Sequence, residues 1–153
     1  MKPRLYFDTS VFGGVYDVEF QRETIQLFEM MKSGEITCVY SDLTEFELES
    51  APVKVKQHFI NLPGNHVEFV EITEEMNHLA GEYISEKVVG ETSIDDCRHI
   101  ACATIKKVDY LVSWNFKHIV NVFRIRGYNA VNLKSGYIQL DIRSPKDIVK
   151  NED

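Results

Sequence analysis

A chain of 153 residues, 44% hydrophobic and 27% charged, is long enough for one globular core and too mixed in composition for a disordered, fibrous or repeat protein. Its 24 acidic against 17 basic side chains give a net charge of -7, which excludes a grip on nucleic acid by bulk positive charge but not contact with phosphate through a bound cation. No run approaches the ~20 apolar residues of a membrane span, the start MKPRLYFDTS lacks an apolar signal segment, and Cys38, Cys97 and Cys102 have neither an even count nor zinc-type spacing.

The expected address is therefore cytoplasmic, with no membrane partner, and the three thiols are expected as small buried hydrophobes. In chain order, Arg4 to Phe7 reads as a short buried strand, and Phe20 to Met31 carries apolar side chains at helical spacing until Ser33-Gly34-Glu35 breaks it. Ile36 to Tyr40 is β-branched and aromatic enough for a second strand, with Ser41 or Asp42 as the N-cap of a helix that Pro52 stops. A helix over 53–62, ended by Pro63-Gly64, leads to a third strand at Val67 to Ile72, and Thr73 caps the following helix with Glu74 and Glu75 in its first turn.

Gly90 to Ser93 reads as a loop, after which Ile94, Cys97, Ile100, Ala101, Thr104 and Ile105 line one helical face. Tyr110 to Ser113 is the fourth strand, Phe116 to Arg126 a helix ended at Gly127, and Ala130 to Leu133 the fifth strand. Strands separated by helices predict an α/β fold, a three-layer α/β/α sandwich around a mostly parallel sheet of four to five strands, with one domain over 1–150.

Ligands of open parallel sheets bind at the carboxyl ends of the strands, which singles out Asp8, Glu47, Asp96 and Asn115. Each has an ordinary reading: Asp8 as an N-cap, Glu47 as one of three acids on a solvated helix face, Asp96 as half of a capping box with Ser93. Their apolar company favours a joint role. Asp8 ends a strand of Leu5, Tyr6 and Phe7, where an isolated carboxylate is costly, and Asp96 shares a helix face with Ile100. Converging carboxylates suit a hard cation such as Mg²⁺, which can lower the pKa of a bound water and stabilise charge on a phosphate. His99 reads first as a satisfied helix residue, and Trp114 either stacks on a base or belongs to the core. Lys117, His118, Arg124 and Arg126 form the most basic stretch.

The segments FDTSVF, LTEFEL, DDCRHIACA and SWNFKHI, in this order and with this strand and helix pattern, resemble the four motifs of PIN-domain nucleases, including the VapC-type toxins of toxin–antitoxin pairs. The likeness spans nearly the whole chain. It implies a PIN-like fold and a Mg²⁺- or Mn²⁺-dependent endoribonuclease, with Asp8, Glu47 and Asp96 as metal-binding catalytic carboxylates and Asn115 in support. RNA would be the substrate, with Ser113, Lys117 and His118 as candidate contacts, and a homodimer and an antitoxin protein as partners. Three rivals stand beside this reading: a silent PIN-like module that binds RNA or protein, a phosphatase using Asp8 as nucleophile, and a nucleotide binder. The last lacks any glycine-rich phosphate loop, and the second lacks the D-x-D-x-T pattern, since Ser10 stands two places after Asp8.

Overall fold

The first strand is apolar on both faces and takes the centre of the sheet. In this computed structural model, which describes residues 2–149, β1 (Arg4–Phe7) pairs with β2 (Thr37–Ser41) on one side and β4 (Tyr110–Val112) on the other. Outside them lie β3 (Val67–Val70) and β5 (Ile142–Arg143), giving five strands, all parallel, in the order β3-β2-β1-β4-β5.

Strand alternation divides the core into two. Tyr6, Val39 and Leu111 point to one face, where α5 (Glu74–Ser85), α6 (Ile94–Ile105) and α7 (Val122–Lys134) bury Leu79, Ile100 and Tyr128 against them. Leu5, Phe7, Cys38 and Val112 point to the other. There α1 (Thr9–Gly14), α2 (Gln21–Lys32), α3 (Asp42–Leu48) and α4 (Val53–Ile60) supply Phe12, Phe28, Leu48 and Val55. The closing helix, α8 (Pro145–Ile148), packs Ile148 against this second core. Strands covered on both faces explain why the sequence of β1 reads as an unbroken apolar run rather than an alternation. All three cysteines are free and buried.

The caps follow the sequence in two places and depart from it in a third. Ser41 caps α3, its hydroxyl accepting from the Thr44 amide at 3.4 Å, and Thr73 caps α5, accepting from Met76 at 3.3 Å. Ser93 occupies the N-cap position of α6 but its side chain makes no capping bond, so the expected box with Asp96 is not formed. The loop expected at Gly90 to Ser93 contains a 3₁₀ turn over Glu91–Ser93.

Two expectations about the C-terminal third are corrected. The helix expected over Phe116 to Arg126 starts instead at Val122, with the Asn121 side chain accepting from Phe123 and Arg124, and it runs through Gly127 to Lys134. Gly127 is a packing residue, not a stop: a Cβ there would stand 2.7 Å from Val88 Cγ1. Ala130 to Leu133 therefore belongs to α7, and the fifth strand is Ile142–Arg143. Among the described residues no helix is long and apolar enough to cross a membrane.

Candidate active site

The four residues singled out by strand-end logic do meet at the carboxyl edge of the sheet. Asp8 leaves β1 and caps α1 with only 5% of its surface exposed. A carboxylate so placed needs donors, and two hydroxyls supply them: Oδ2 accepts from Ser10 Oγ at 2.8 Å and Ser113 Oγ at 2.9 Å. Each serine is itself held, because the Trp114 amide donates to Ser10 Oγ at 3.0 Å and the Asn115 amide to Ser113 Oγ at 2.9 Å.

Glu47 reaches in from α3. Its Oε1 accepts from Thr9 Oγ1 at 2.8 Å and lies 2.5 Å from His99 Nε2, which also stands 3.8 Å from Asp8 Oδ1. On the far side of the ring, His99 Nδ1 is 2.6 Å from the Tyr6 hydroxyl, itself 2.7 Å from Ser41 Oγ. Burial opposes a charge on His99, yet the Glu47 hydrogen bond and the carboxylates of Asp8, Glu47 and Asp96 outweigh it and raise its pKa. When protonated, the imidazole donates at both nitrogens, to Glu47 and to the Tyr6 oxygen, and the Tyr6 hydroxyl is then free to donate to Ser41 Oγ.

Asp96, in the first turn of α6, has less support: a single 3.4 Å contact from Asn115 Nδ2. Burial first, then the charge of Asp8, pushes its pKa up to about 6, with Glu47 and Asp95 adding and His99 subtracting. Its neighbour Asp95 turns away and pairs with Arg98 at 2.6 Å. The Asn115 oxygen is occupied within its own loop, accepting from the amides of Lys117 at 3.2 Å and His118 at 3.0 Å, so only the amide nitrogen faces Asp96. Those two backbone donors fix which way the amide points.

All-oxygen donors on three chain segments are the chemistry a hard divalent cation prefers, and burial first, then the charge of Asp8, makes the Asp96 carboxylate costly to ionise without such a counter-charge. Among the described residues, however, no three acid, imidazole or thiol groups converge tightly enough to form a ready-made metal cage. His99 stands in the way, lying against Glu47 and near Asp8. Asp8 and Asp96 are left as the direct ligand candidates, with Glu47 able to join through water.

Other site expectations sort by burial. Ser113 is fully buried and its hydroxyl is committed to Asp8 and Asn115, so the expectation that it touches RNA is replaced by one that it positions Asp8. Burial, followed by the nearby charges of Lys117 and Arg124, lowers the pKa of His118. Lys117 is exposed. Trp114 belongs to the core, 5% exposed and stacked on Phe20. Sequence reading passed over Thr9, Ser10 and Tyr6. Ser10 had a legible signal, a hydroxyl two residues after a strand-end aspartate, whereas Tyr6 needs the strand alternation to show which face it takes. A depression of about 650 Å³ between β5 and α7 holds none of the four acidic-site residues, and its Arg143 is paired with Asp141 at 2.7 Å.

The parallel order, the layers and the acids at the strand ends define the PIN-domain fold of VapC toxins. Structural comparison bears this out across most of the chain. VapBC2 from Rickettsia felis, solved bound to a promoter DNA fragment, superposes with a TM-score of 0.58 at 14% identity, covering 92% of this chain and 98% of the other. A toxin–antitoxin complex from Klebsiella pneumoniae gives 0.55 at 17% identity over 74% and 88%. VapC20 of Mycobacterium tuberculosis, a sarcin–ricin loop cleaving toxin, gives 0.55 at 12% identity over 89% and 98%. No protein-family profile and no curated protein sequence matches the chain.

Proposed function

We propose that the protein is a divalent-metal-dependent endoribonuclease, the toxin of a toxin–antitoxin pair. The observation that carries the proposal is the meeting of Asp8, Glu47 and Asp96, from residues far apart in the chain, at the edge of the sheet where parallel folds bind their ligands. The structural likeness to toxins of such pairs, one of them an RNA-cleaving enzyme, supports the substrate class and the antitoxin. A homodimer and a cytoplasmic location complete the proposal and rest on the family resemblance and on the absence of apolar spans in the sequence.

Asp8 and Asp96 would hold Mg²⁺ or Mn²⁺, with Glu47 completing the set directly or through water. Such an ion supplies Lewis acidity toward a phosphate oxygen and a lowered pKa for water. Asp8 contributes orientation, because Ser10 and Ser113 fix its Oδ2 and leave Oδ1 facing the cleft. Asn115 steadies Asp96 without adding charge. His99 lies against Glu47, and its second hydrogen bond, to Tyr6, would keep the ring in place when Glu47 turned to a ligand.

The deciding experiment incubates purified protein with total cellular RNA and Mg²⁺ or Mn²⁺, beside EDTA and the Asp96→Asn variant. Cleavage that needs metal and vanishes in the variant is the expected result. Cleavage that survives in the variant belongs to a contaminant and sinks the proposal. The alternative, a silent module binding RNA or protein, is favoured by the uncharged Asn115 and predicts no cleavage in any arm.

A further inference from the structure

We propose that Phe116, with Phe20 at its flank, forms a stacking subsite for an unpaired nucleobase next to the phosphate held at the acids; this rests on RNA being the substrate. Phe116 is 45% exposed although it follows directly on Asn115, whose amide reaches Asp96. Its ring packs edgewise on Trp114 at 6.1 Å between centroids and lies 6.2 Å from Phe20, while Phe20 and Trp114 stack at 4.1 Å, nearly parallel. Three aromatic rings thus form a ledge with one buried and two partly open members.

The ledge is rigid and continuous with the acids. Trp114 Nε1 donates to Thr24 Oγ1 at 2.9 Å, and that hydroxyl donates in turn to the Phe20 carbonyl at 2.7 Å. Gly14 lies so close that a Cβ there would stand 2.8 Å from Trp114 Nε1, leaving the indole no room to shift toward α1. The Trp114 amide donates to Ser10, which donates to Asp8. Displacing the indole would therefore disturb a ligand candidate, and holding it still holds Phe116.

Charge explains why a stacking face fits this substrate. At a net charge of -7 the protein gains little from releasing counterions, so affinity for RNA has to come from elsewhere, and every base offers a π face whatever its sequence. Other open aromatics lack this setting. Phe46 lines a separate depression with Leu43 and Ile72, and Phe123 another with Glu86 and Lys87. Phe116 is followed by exposed Lys117, the right charge for the phosphate of a stacked nucleotide. Because a paired base hides its face in the helix stack, the subsite selects single strands and loops over duplex.

The test measures binding by fluorescence anisotropy of a labelled 12-nucleotide oligouridylate, an oligoadenylate and a duplex to the Asp96→Asn protein, in which cutting is silenced. Adding Phe116→Ala is expected to weaken single-strand binding about 5- to 100-fold, with Phe116→Tyr restoring it and Phe116→Leu, which keeps bulk without a π face, failing to. Equal binding by the Ala and Phe proteins, full rescue by Leu, or duplex binding as tight as single-strand binding would overturn the subsite. Cleavage is scored separately with the Asp96 protein. If it does not cut but binding depends on the Phe116 ring, the hydrolytic reading falls and the subsite stands; cutting with ring-independent binding removes the subsite alone.

Discussion

Asp8 and Asp96 are two carboxylates serving one cleft, and the fold treats them in opposite ways. Asp8 is nearly sealed, and two hydroxyls, each anchored by a backbone amide, answer one of its oxygens. Asp96 is more open, has one long contact from an amide, and keeps its proton up to a pH of about 6 because burial and Asp8 oppose its charge. The contrast shows where the site is finished and where it waits. One oxygen of Asp8 is fixed by the protein and the other is left toward the cleft, whereas Asp96 has only the one long contact from Asn115.

The largest expected effect breaks the unfinished side. Asp96→Asn should lower RNA cleavage by at least about 100-fold in Mg²⁺ or Mn²⁺ while the circular dichroism spectrum stays that of the native fold. On the finished side the loss falls on stability: Ser113→Ala leaves a buried carboxylate short of one donor and should cost about 2 kcal/mol, or ~4–8 °C in Tm, read by thermal denaturation. Were Ser113→Ala to leave Tm unchanged, Asp8 would be no better anchored than Asp96 and the contrast would fail.

A smaller effect sharpens the comparison through pH. Asp96 and His99 both have raised pKa values in the fold. Each therefore contributes stability that is present below its unfolded pKa and is lost as pH rises through the folded one. For Asp96 that window runs from the ordinary carboxylate range to about 6. Asp96→Asn should accordingly be more stable than the parent at pH 8 without metal, by on the order of 1 kcal/mol after solvent screening, and the advantage should close near pH 4. Mg²⁺ added at pH 8 should raise the Tm of the parent and not of the variant. The smallest effect belongs to the neighbouring acid. Asp95 pairs with Arg98 at the helix surface, and Asp95→Asn should shift stability by no more than about 0.5 kcal/mol and leave cleavage near the parent rate.

Legibility in the sequence followed the strength of local signals. The first four strands and the helices between them have apolar runs, caps and breakers that agree with one another, and the structure places them within a few residues of the sequence reading. The last third lacks that agreement. Gly127 has the look of a helix stop, yet it serves the close approach of Val88, a contact that no local pattern encodes. Val131 reads as strand by its β-branching but lies one helical turn from Tyr128, and both face the core. The true fifth strand has two residues, too few for a period to show, and α1 is only six residues long.

At the site, positions after strands and in the helices that follow them singled out acids that meet in the structure, because parallel topology sends those positions to one edge. They were not enough to find what holds them. Tyr6 and His99 come together because strand alternation and helix phase bring residues 93 apart to within 2.6 Å. Trp114 was legible as an aromatic at the site but not as the support beneath Phe116, since the two are adjacent in sequence and only packing separates buried from open.

The central place of β1 also sets an order in time. Asp8 precedes its hydroxyl partner Ser113 by 105 residues, and its own amide waits for the Val112 carbonyl. Contacts of such long range form late. During synthesis no fragment lacking β4 can seat Asp8 against it, so this edge of the sheet closes only once Tyr110–Val112 and Ser113 have been made.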